Sequence, residues 1–368
     1  MTNKVRHLLG ISGGKDSAAL AIYMKTNYPE IKMEYYFCDT GKELAETYDL
    51  IEELEVFLGQ EIKKIEAAPG SNEDPFDHFL KLYGGYLPSN LARWCTKNLK
   101  LEPFEKYVGN DHALSYVAIR GDEDREGYVS TKPNIQTVFP FRKNIWSLEI
   151  LNKVLHNSSI EKLHQYYLLN AHESIKIRAL ELINEPTSKK YLFSQKLNSL
   201  LDLDIATFNH AVFELLKGET YPIAKLNSFP LCSNSDVIVK KDVIKLFEIN
   251  GVTYPGYYKE VEYEVNGQVG KYARSRSGCF FCFYQQKIEW VWLYERHPEL
   301  FKKAMEYEKD GFTWGEEERL EDLIKPIRLN QIKEDHLNKI KNKLETKSNK
   351  LVDILDDSEG ISCVNCFI

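Results

Sequence analysis

The sequence predicts an α/β fold: a parallel, twisted sheet with helices on both faces. Three observations carry that prediction. First, β-like and helix-like runs alternate over residues 1–120, as βαβ units require. Second, the first β-like run, residues 5–11, breaks at the glycine-rich Ser12-Gly13-Gly14-Lys15-Asp16-Ser17 just before a helix-like run. Third, Leu44, Tyr48, Ile51, Leu54 and Leu58 repeat at helical spacing and meet Gly59 where a C-terminal cap belongs.

Taken in order, residues 5–11 are the first strand and 17–27 the first helix. Residues 32–37 (KMEYYF) are the second strand, ending at Cys38-Asp39-Thr40-Gly41, and 61–67 and 112–120 (HALSYVAIR) supply a third and a fourth. Ligands of a parallel sheet collect beyond the C-terminal ends of its strands. The 12–17 loop, Asp39 and Arg120 all lie just past such ends. From about 147 to 221 the spacing turns helical and glycine thins, which marks an insertion. The chain then resumes with VIVKKDVIKLFEINGVTYPGYY, a basic turn in KYARSRSGCFFC, a lysine- and glutamate-rich helix after Pro326, and a tail ending SCVNCFI. The expected organisation is an α/β domain over 1–146, a helical insertion over 147–228, a C-terminal part with a C-x-x-C over 229–326, and a charged helix with a second C-x-x-C over 327–368.

With 368 residues, 43% of them hydrophobic and 28% charged, the chain has the makeup of a soluble globular protein. A net charge of −7 excludes a uniformly basic coat but leaves room for a local basic groove. No apolar run nears the roughly 20 residues needed to span a bilayer. The opening MTNKVRHLL lacks the apolar core of a signal peptide, so a cytoplasmic location with no membrane partner is expected. Seven cysteines, an odd number with two C-x-x-C pairs, then read as metal or redox chemistry before disulfides.

The opening loop is built for an anion. A glycine turn at a helix N-terminus presents backbone N–H groups, and the helix dipole adds partial positive charge. Lys15 can neutralise a phosphate oxygen, Asp16 can help hold Mg²⁺ or orient the reacting group, and Ser17 is expected to cap the helix. The spacing is not that of the G-x-x-x-x-G-K-[ST] loop, because residue 9 is leucine.

These residues resemble a known family. SGGKDS is similar to the pyrophosphate loop of the N-type ATP pyrophosphatases, the PP-loop superfamily, which cleave ATP between its α and β phosphates. Cys38-Asp39-Thr40-Gly41 resembles the D-T-G of the phosphoadenosine-phosphosulfate reductase branch, and Arg93-Trp94-Cys95 with Leu99-Lys100 and Pro103 resembles its R-x-C…L-K…P segment. Residues 119–125 (IRGDEDR) are similar to its arginine loop, though isoleucine replaces the leading glycine. Gly278-Cys279-Phe280-Phe281-Cys282, with Trp290 and His297-Pro298-Glu299, resembles its closing G-C-x-x-C and helix. The likeness covers residues 5–145 and 230–310 and leaves the insertion unaccounted for.

The resemblance implies an adenine nucleotide alpha hydrolase-like fold. It also implies a nucleotide site made of Ser12, Gly13, Gly14, Lys15, Asp16, Ser17, Asp39, Thr40, Gly41 and Arg120, with Lys15, Asp16, Arg120 and Arg125 as catalytic groups and Mg-ATP as cofactor. Arg120 and Arg125 are expected to grip pyrophosphate or an acceptor phosphate, the plainer alternative being pairing with Asp122, Glu123 or Asp124. Asp39 is expected to meet ribose, adenine or Mg²⁺, unless it only caps its strand. True reductases of the branch lack a complete S-G-G-x-D-S and carry an E-C-G tail. This chain has the loop and no E-C-G, so it resembles the ATP-using members, including the sulfurtransferases of DNA phosphorothioation. That likeness implies a cysteine desulfurase as sulfur donor, nucleic acid (DNA first) as acceptor, and other phosphorothioation or defence subunits as partners. A sulfate-nucleotide reductase, a tRNA thiolase and a non-catalytic nucleotide-binding subunit are the rival readings.

For the cysteines, a C-x-x-C with distant partners suits a 4Fe-4S cluster or Zn²⁺. Cys279 and Cys282 are the expected ligands, Cys95 the third from its place in the R-x-C segment, and Cys232 a candidate fourth. Lys271, Arg274 and Arg276 precede the pair and are expected to lower its thiol pKa values or, with Tyr272, to touch a nucleic-acid backbone. Cys363 and Cys366 suggest a swinging thiol on the tail, while Cys38 reads as packing. Trp290, Trp292 and Trp314 read as core rather than as a stacking platform.

Overall fold

Alternation within the strands decides where the helices go. The structure, a computed structural model, describes residues 4–127, 129–315 and 318–345. Strands β1 (Arg6–Gly10), β2 (Met33–Asp39), β3 (Ile62–Glu66), β4 (Ala113–Tyr116) and β5 (Ile135–Val138) form one sheet in the order β3-β2-β1-β4-β5. Every pairing in it is parallel. Leu9, Tyr35, Phe37, Leu114, Tyr116 and Val138 point to one face and join the larger core. Leu8, Tyr36, Cys38, Ala113 and Ile135 point to the other, against Phe104 and Val108. With both faces apolar the sheet has to be covered on both sides. Helices α1 (Lys15–Asn27) and α2 (Ala45–Leu58) contribute to the first core, and α5 (Glu102–Val108) to the second. The fold class expected from the sequence is the one observed. The fifth strand was not foreseen, because its four residues follow a loop with no helix-like run between.

Between β3 and β4 the chain forms α3 (Pro75–Leu82) and a short α4 (Trp94–Thr96), which runs through a π-helical turn, Lys97–Leu101, into α5. The insertion is helical as expected: α6 (Leu148–Val154), α7 (Ile160–Asn170), α8 (Glu173–Asn184), α9 (Phe193–Leu203) and α10 (Ile205–Leu216). It has no core of its own, since Ile150, Leu163, Ala179, Leu200 and Phe208 belong to the same buried cluster as the sheet and α1. Helix α11 (Lys240–Asn250) returns to pack on α1. Beyond it come the antiparallel hairpin β6 (Val261–Val265) and β7 (Gln268–Tyr272), then α12 (Lys287–Arg296), α13 (Pro298–Glu306), α14 (Leu320–Leu323) and α15 (Pro326–Glu345). These enclose a separate aromatic core in which Phe76 and Phe281 lie 4.5 Å apart and Phe281 stacks on Trp314 at 4.8 Å. Trp290, Trp292 and Trp314 are buried there, as the sequence suggested. Among the described residues no helix is long and apolar enough to cross a membrane. Cys363 and Cys366 lie outside the described residues.

One buried charge holds the insertion together. Lys196 on α9 is only 1% exposed, and its Nζ donates to the Ile183 and Glu185 carbonyls, both at 2.7 Å. Those carbonyls close α8, where the negative end of the helix dipole offsets a cation that burial disfavours. Lys196→Met keeps the apolar stem but orphans the two carbonyls. It should cost about 1–3 kcal/mol, read in urea as a lower midpoint at unchanged slope. A midpoint equal to wild type would mean that water satisfies this helix end equally well.

Candidate active site

The 12–17 loop lies between β1 and α1, at the switch point where β1 is flanked by β2 and β4. Gly13 has φ +74°, and a Cβ there would come within 2.3 Å of Thr47 on α2, so only glycine fits. Ser12, Lys15, Asp16 and Ser17 are all buried. Ser17 does not cap α1 as expected. The N-cap is Gly14, without a side-chain bond. Ser17 Oγ instead donates to the Gly14 carbonyl at 3.1 Å and accepts from Ser12 N–H at 3.2 Å, tightening the loop from inside. The cradle is open to an anion in its chemistry, but protein covers it here. The Tyr258 hydroxyl accepts from Lys15 N–H at 3.4 Å, the Lys15 ammonium lies 4.6 Å from the Tyr258 ring, and Tyr257 donates to the Gly13 carbonyl. Ser277 Oγ donates to the Ser12 carbonyl at 3.4 Å. Tyr257, Tyr258 and Ser277 were missed in the sequence, where the only local signal is the Pro255-Gly256 turn ahead of the tyrosines.

Arg120 is brought to the loop, but through carboxylates. Its Nη1 donates to Asp16 Oδ1 at 2.9 Å and its Nε to Asp122 Oδ1 at 3.0 Å, and its Nη2 lies 3.6 Å from Glu123 Oε1. Arg125 donates to Glu123 Oε1 at 2.9 Å. Both arginines thus pair with carboxylates of their own turn, with Arg120 also reaching Asp16 and Arg125 keeping Nε and Nη1 without a hydrogen-bond partner among the described residues. Asp39 likewise serves its own turn: Oδ1 accepts from Gly41 N–H at 2.7 Å and from the Tyr48 hydroxyl at 2.9 Å, and Oδ2 pairs with Lys64. Burial raises its pKa, but these bonds outweigh that and hold it below the usual carboxylate range. Gly41 has φ +75° and a Cβ there would meet Asp74 at 2.8 Å, again a position for glycine alone.

Thr40 links the strand end to the cysteines. Its hydroxyl donates to Glu43 Oε1 at 2.7 Å and lies 3.2 Å from Cys279 Sγ. Glu43, absent from the sequence-based site, is buried, and burial pushes its carboxyl up to about 7. Cys95, Cys279 and Cys282 line a single small cavity of about 50 Å³ together with Thr40, Lys100 and Ser277. Cys232 is elsewhere, in the core shared by sheet and insertion, with its thiol pushed up to about 12 by burial. Cys38 packs against the opposite sheet face, also pushed up to about 12 by burial.

Two expectations about the basic turn need correcting. The Cys279 thiol is raised rather than lowered, because burial dominates and Glu43 is the next-largest influence. Arg274 reaches the Cys279 carbonyl at 2.9 Å, not its sulfur. Nor is the whole turn offered to a nucleic acid: Arg274 and Tyr272 are buried, and Lys271 pairs with Glu262 across the hairpin. Metals find no ready cage. Among the described residues no three His, Cys, Asp or Glu side chains converge to hold an ion, and Asp16 is engaged by Arg120 and Lys15. Among the described residues, neither a protein-held Mg²⁺ nor a cluster is shown.

Residues 6–154 match the phosphoadenosine phosphosulfate reductase domain. The chain is 30% identical over 170 residues to an uncharacterized protein of Methanocaldococcus jannaschii, covering 42% of this chain and 33% of that one. It is 24% identical over 137 residues to the tRNA-specific 2-thiouridylase MnmA of Mannheimia succiniciproducens, covering 33% of this chain and 34% of that one. The chain thus spans about a third of the length of each relative. No solved structure matches it. A Gly-Gly loop at the C-terminal end of β1 and the Asp39-Thr40-Gly41 turn after β2 agree with the domain match, so residues 6–154 are similar to the phosphoadenosine phosphosulfate reductase domain, a domain of the PP-loop superfamily.

Proposed function

We propose that this protein is an ATP-dependent sulfurtransferase that activates an acceptor oxygen with ATP, releasing pyrophosphate, and then replaces that oxygen with sulfur. The observation that carries the reading is the intact Ser12–Ser17 loop, with Lys15 buried at the sheet's switch point. The reductase-type domain and the thiouridylase relative both support sulfur-related nucleotide chemistry. In the first step an acceptor oxygen attacks the α phosphorus and pyrophosphate departs with the electron pair. The loop N–H groups and Lys15 neutralise charge on the transferring nucleotide, which is most of what such a step asks of a protein. The Tyr258 hydroxyl holds the place at Lys15 N–H that a phosphate oxygen takes. Asp16 keeps the loop in register through Arg120. Mg²⁺, when carried in on the nucleotide, adds further charge neutralisation. In the second step the terminal sulfur of a cysteine persulfide attacks the activated centre and AMP leaves with the oxygen. A second thiol then attacks the carrier sulfur, breaking its S–S bond to the transferred atom and leaving a disulfide that an external thiol reduces. The cavity shared by Cys95, Cys279 and Cys282, joined to the nucleotide strand ends through Thr40, is the point of sulfur entry. A cysteine desulfurase is the donor this chemistry calls for, and a DNA phosphodiester is the acceptor.

Two measurements test this. Lys15→Ala should lower ATP-to-AMP turnover by at least about 100-fold, in line with the loss of a transition-state charge contact, with the unfolding midpoint nearly unchanged. Turnover equal to wild type would remove the mechanism. With desulfurase, cysteine, ATP and DNA supplied, nuclease digests should contain phosphorothioate linkages. Thiolated nucleosides from RNA in their place would transfer the reading to a tRNA thiolase. Thiol-driven reduction of adenylylated sulfate without AMP formation from ATP would transfer it to a reductase.

A further inference from the structure

Most arginines of this protein answer a carboxylate: Arg6, Arg120, Arg125, Arg178, Arg319 and Arg328 each have one within 4 Å. Arg93 and Arg276 have none among the described residues, as is also true of Arg142, Arg274 and Arg296, but only Arg93 and Arg276 share a ring. The two come from segments 183 positions apart (276 minus 93), yet each guanidinium carbon lies 5.2 Å from the centroid of the same ring, Tyr284. Two like charges on one ring repel, and an anion joining them would offset that repulsion. Arg276 adds a second sign of an absent ligand. Its Nε and Nη1 are buried without a hydrogen-bond partner among the described residues, as are those of Arg125 and Arg274. Arg93 is exposed, and only its Nε is used, on the Asn90 carbonyl at 3.3 Å.

The position of the pair says which anion. Ser277 and Phe283, the sequence neighbours of Arg276 and Tyr284, line the cysteine cavity, as does Cys95, two residues beyond Arg93. Ser277 also touches the 12–17 loop. The charges therefore sit beside both the place where a nucleotide is activated and the place where sulfur enters. Guanidinium groups match phosphate oxygens two at a time, and two of them held on one ring suit neighbouring phosphates of a strand.

We propose that Arg93 and Arg276, carried on Tyr284, form a clamp for the phosphodiester backbone of the nucleic-acid acceptor. This rests on the sulfurtransferase reading above and names the part of the site that the acceptor occupies. Arg274 is not part of the clamp, since it is buried against Trp292 and the Cys279 carbonyl.

The test is fluorescence anisotropy with short labelled strands, namely single-stranded DNA, duplex DNA and an RNA hairpin, titrated with the full chain at several salt concentrations. Arg93→Ala and Arg276→Ala should each weaken binding of the acceptor strand roughly tenfold. Each should also lower the slope of log affinity against log salt by about 1. ATP affinity, measured separately by calorimetry, should stay at the wild-type value. Arg93 is exposed, so its variant keeps the test valid if Arg276→Ala does not fold. Unchanged strand affinity and slope would overturn the clamp, as would a wild type that binds none of the three strands. Weakened ATP affinity with unchanged strand affinity would also overturn it and assign the pair to the nucleotide's phosphates. The arm that responds tells DNA from RNA. A wild type that binds strands through the pair but forms no AMP would keep the clamp and remove the ATP reading, so the two failures are distinct.

Discussion

The Arg120 guanidinium is the constraint around which this site is assembled. It is 2% exposed and contacts Asp16 from the loop after β1 and Asp122 and Glu123 from the turn after β4. Removing one partner of such a buried group typically costs 3–5 kcal/mol, because the other charges are left uncompensated. The turn that carries it is tied in further by Gly121 N–H to the Ile238 carbonyl at 2.9 Å, and by Lys240 N–H to Asp122 Oδ2 at 3.3 Å. Two central strands and the entry to α11 therefore share one electrostatic joint. The Ser12–Ser17 loop inherits its shape from that joint.

The C-terminal part meets the same loop from the other side. Lys42, after the Asp39-Thr40-Gly41 turn, bonds Asp74 at 2.8 Å and Asp77 at 2.7 Å, and Tyr307 donates to the second oxygen of Asp77 at 2.6 Å. Phe280 N–H reaches the Lys42 carbonyl at 2.9 Å, and Glu43 and Cys279 form a bridge between the two chain segments. The C-x-x-C segment is thus stitched onto the β2 turn by backbone bonds. Residues far apart in sequence, such as Thr40 and Cys279, become neighbours without any extended interface.

Much of this was legible in the sequence. The strand–loop–helix pattern around Ser12–Ser17 depends on local spacing, and so did β2, α2 and its Gly59 cap, which adopts φ +68°. The union of Cys95, Cys279 and Cys282 was also readable, from motifs. What could not be read was which groups cancel one another. Whether Arg120 meets phosphate or Asp16, and whether Cys279 feels arginines or Glu43, is decided by distances across 100 residues or more of chain. Tyr257 and Tyr258 carry no motif at all, and a pair of tyrosines after Pro-Gly reads as an ordinary turn. Cys232 was drawn toward the site by its residue type alone, while the apolar neighbours Phe229 and Leu231 already marked it as core.

The phenol resting on Lys15 has an energetic meaning. On the proposed reading, a phosphate oxygen that takes the Lys15 N–H has to displace that hydroxyl, so nucleotide binding includes turning the tyrosine away. The observed dissociation constant is then the intrinsic one divided by the fraction of molecules with it turned away. Between nucleotides the same contact shields a buried lysine from stray anions.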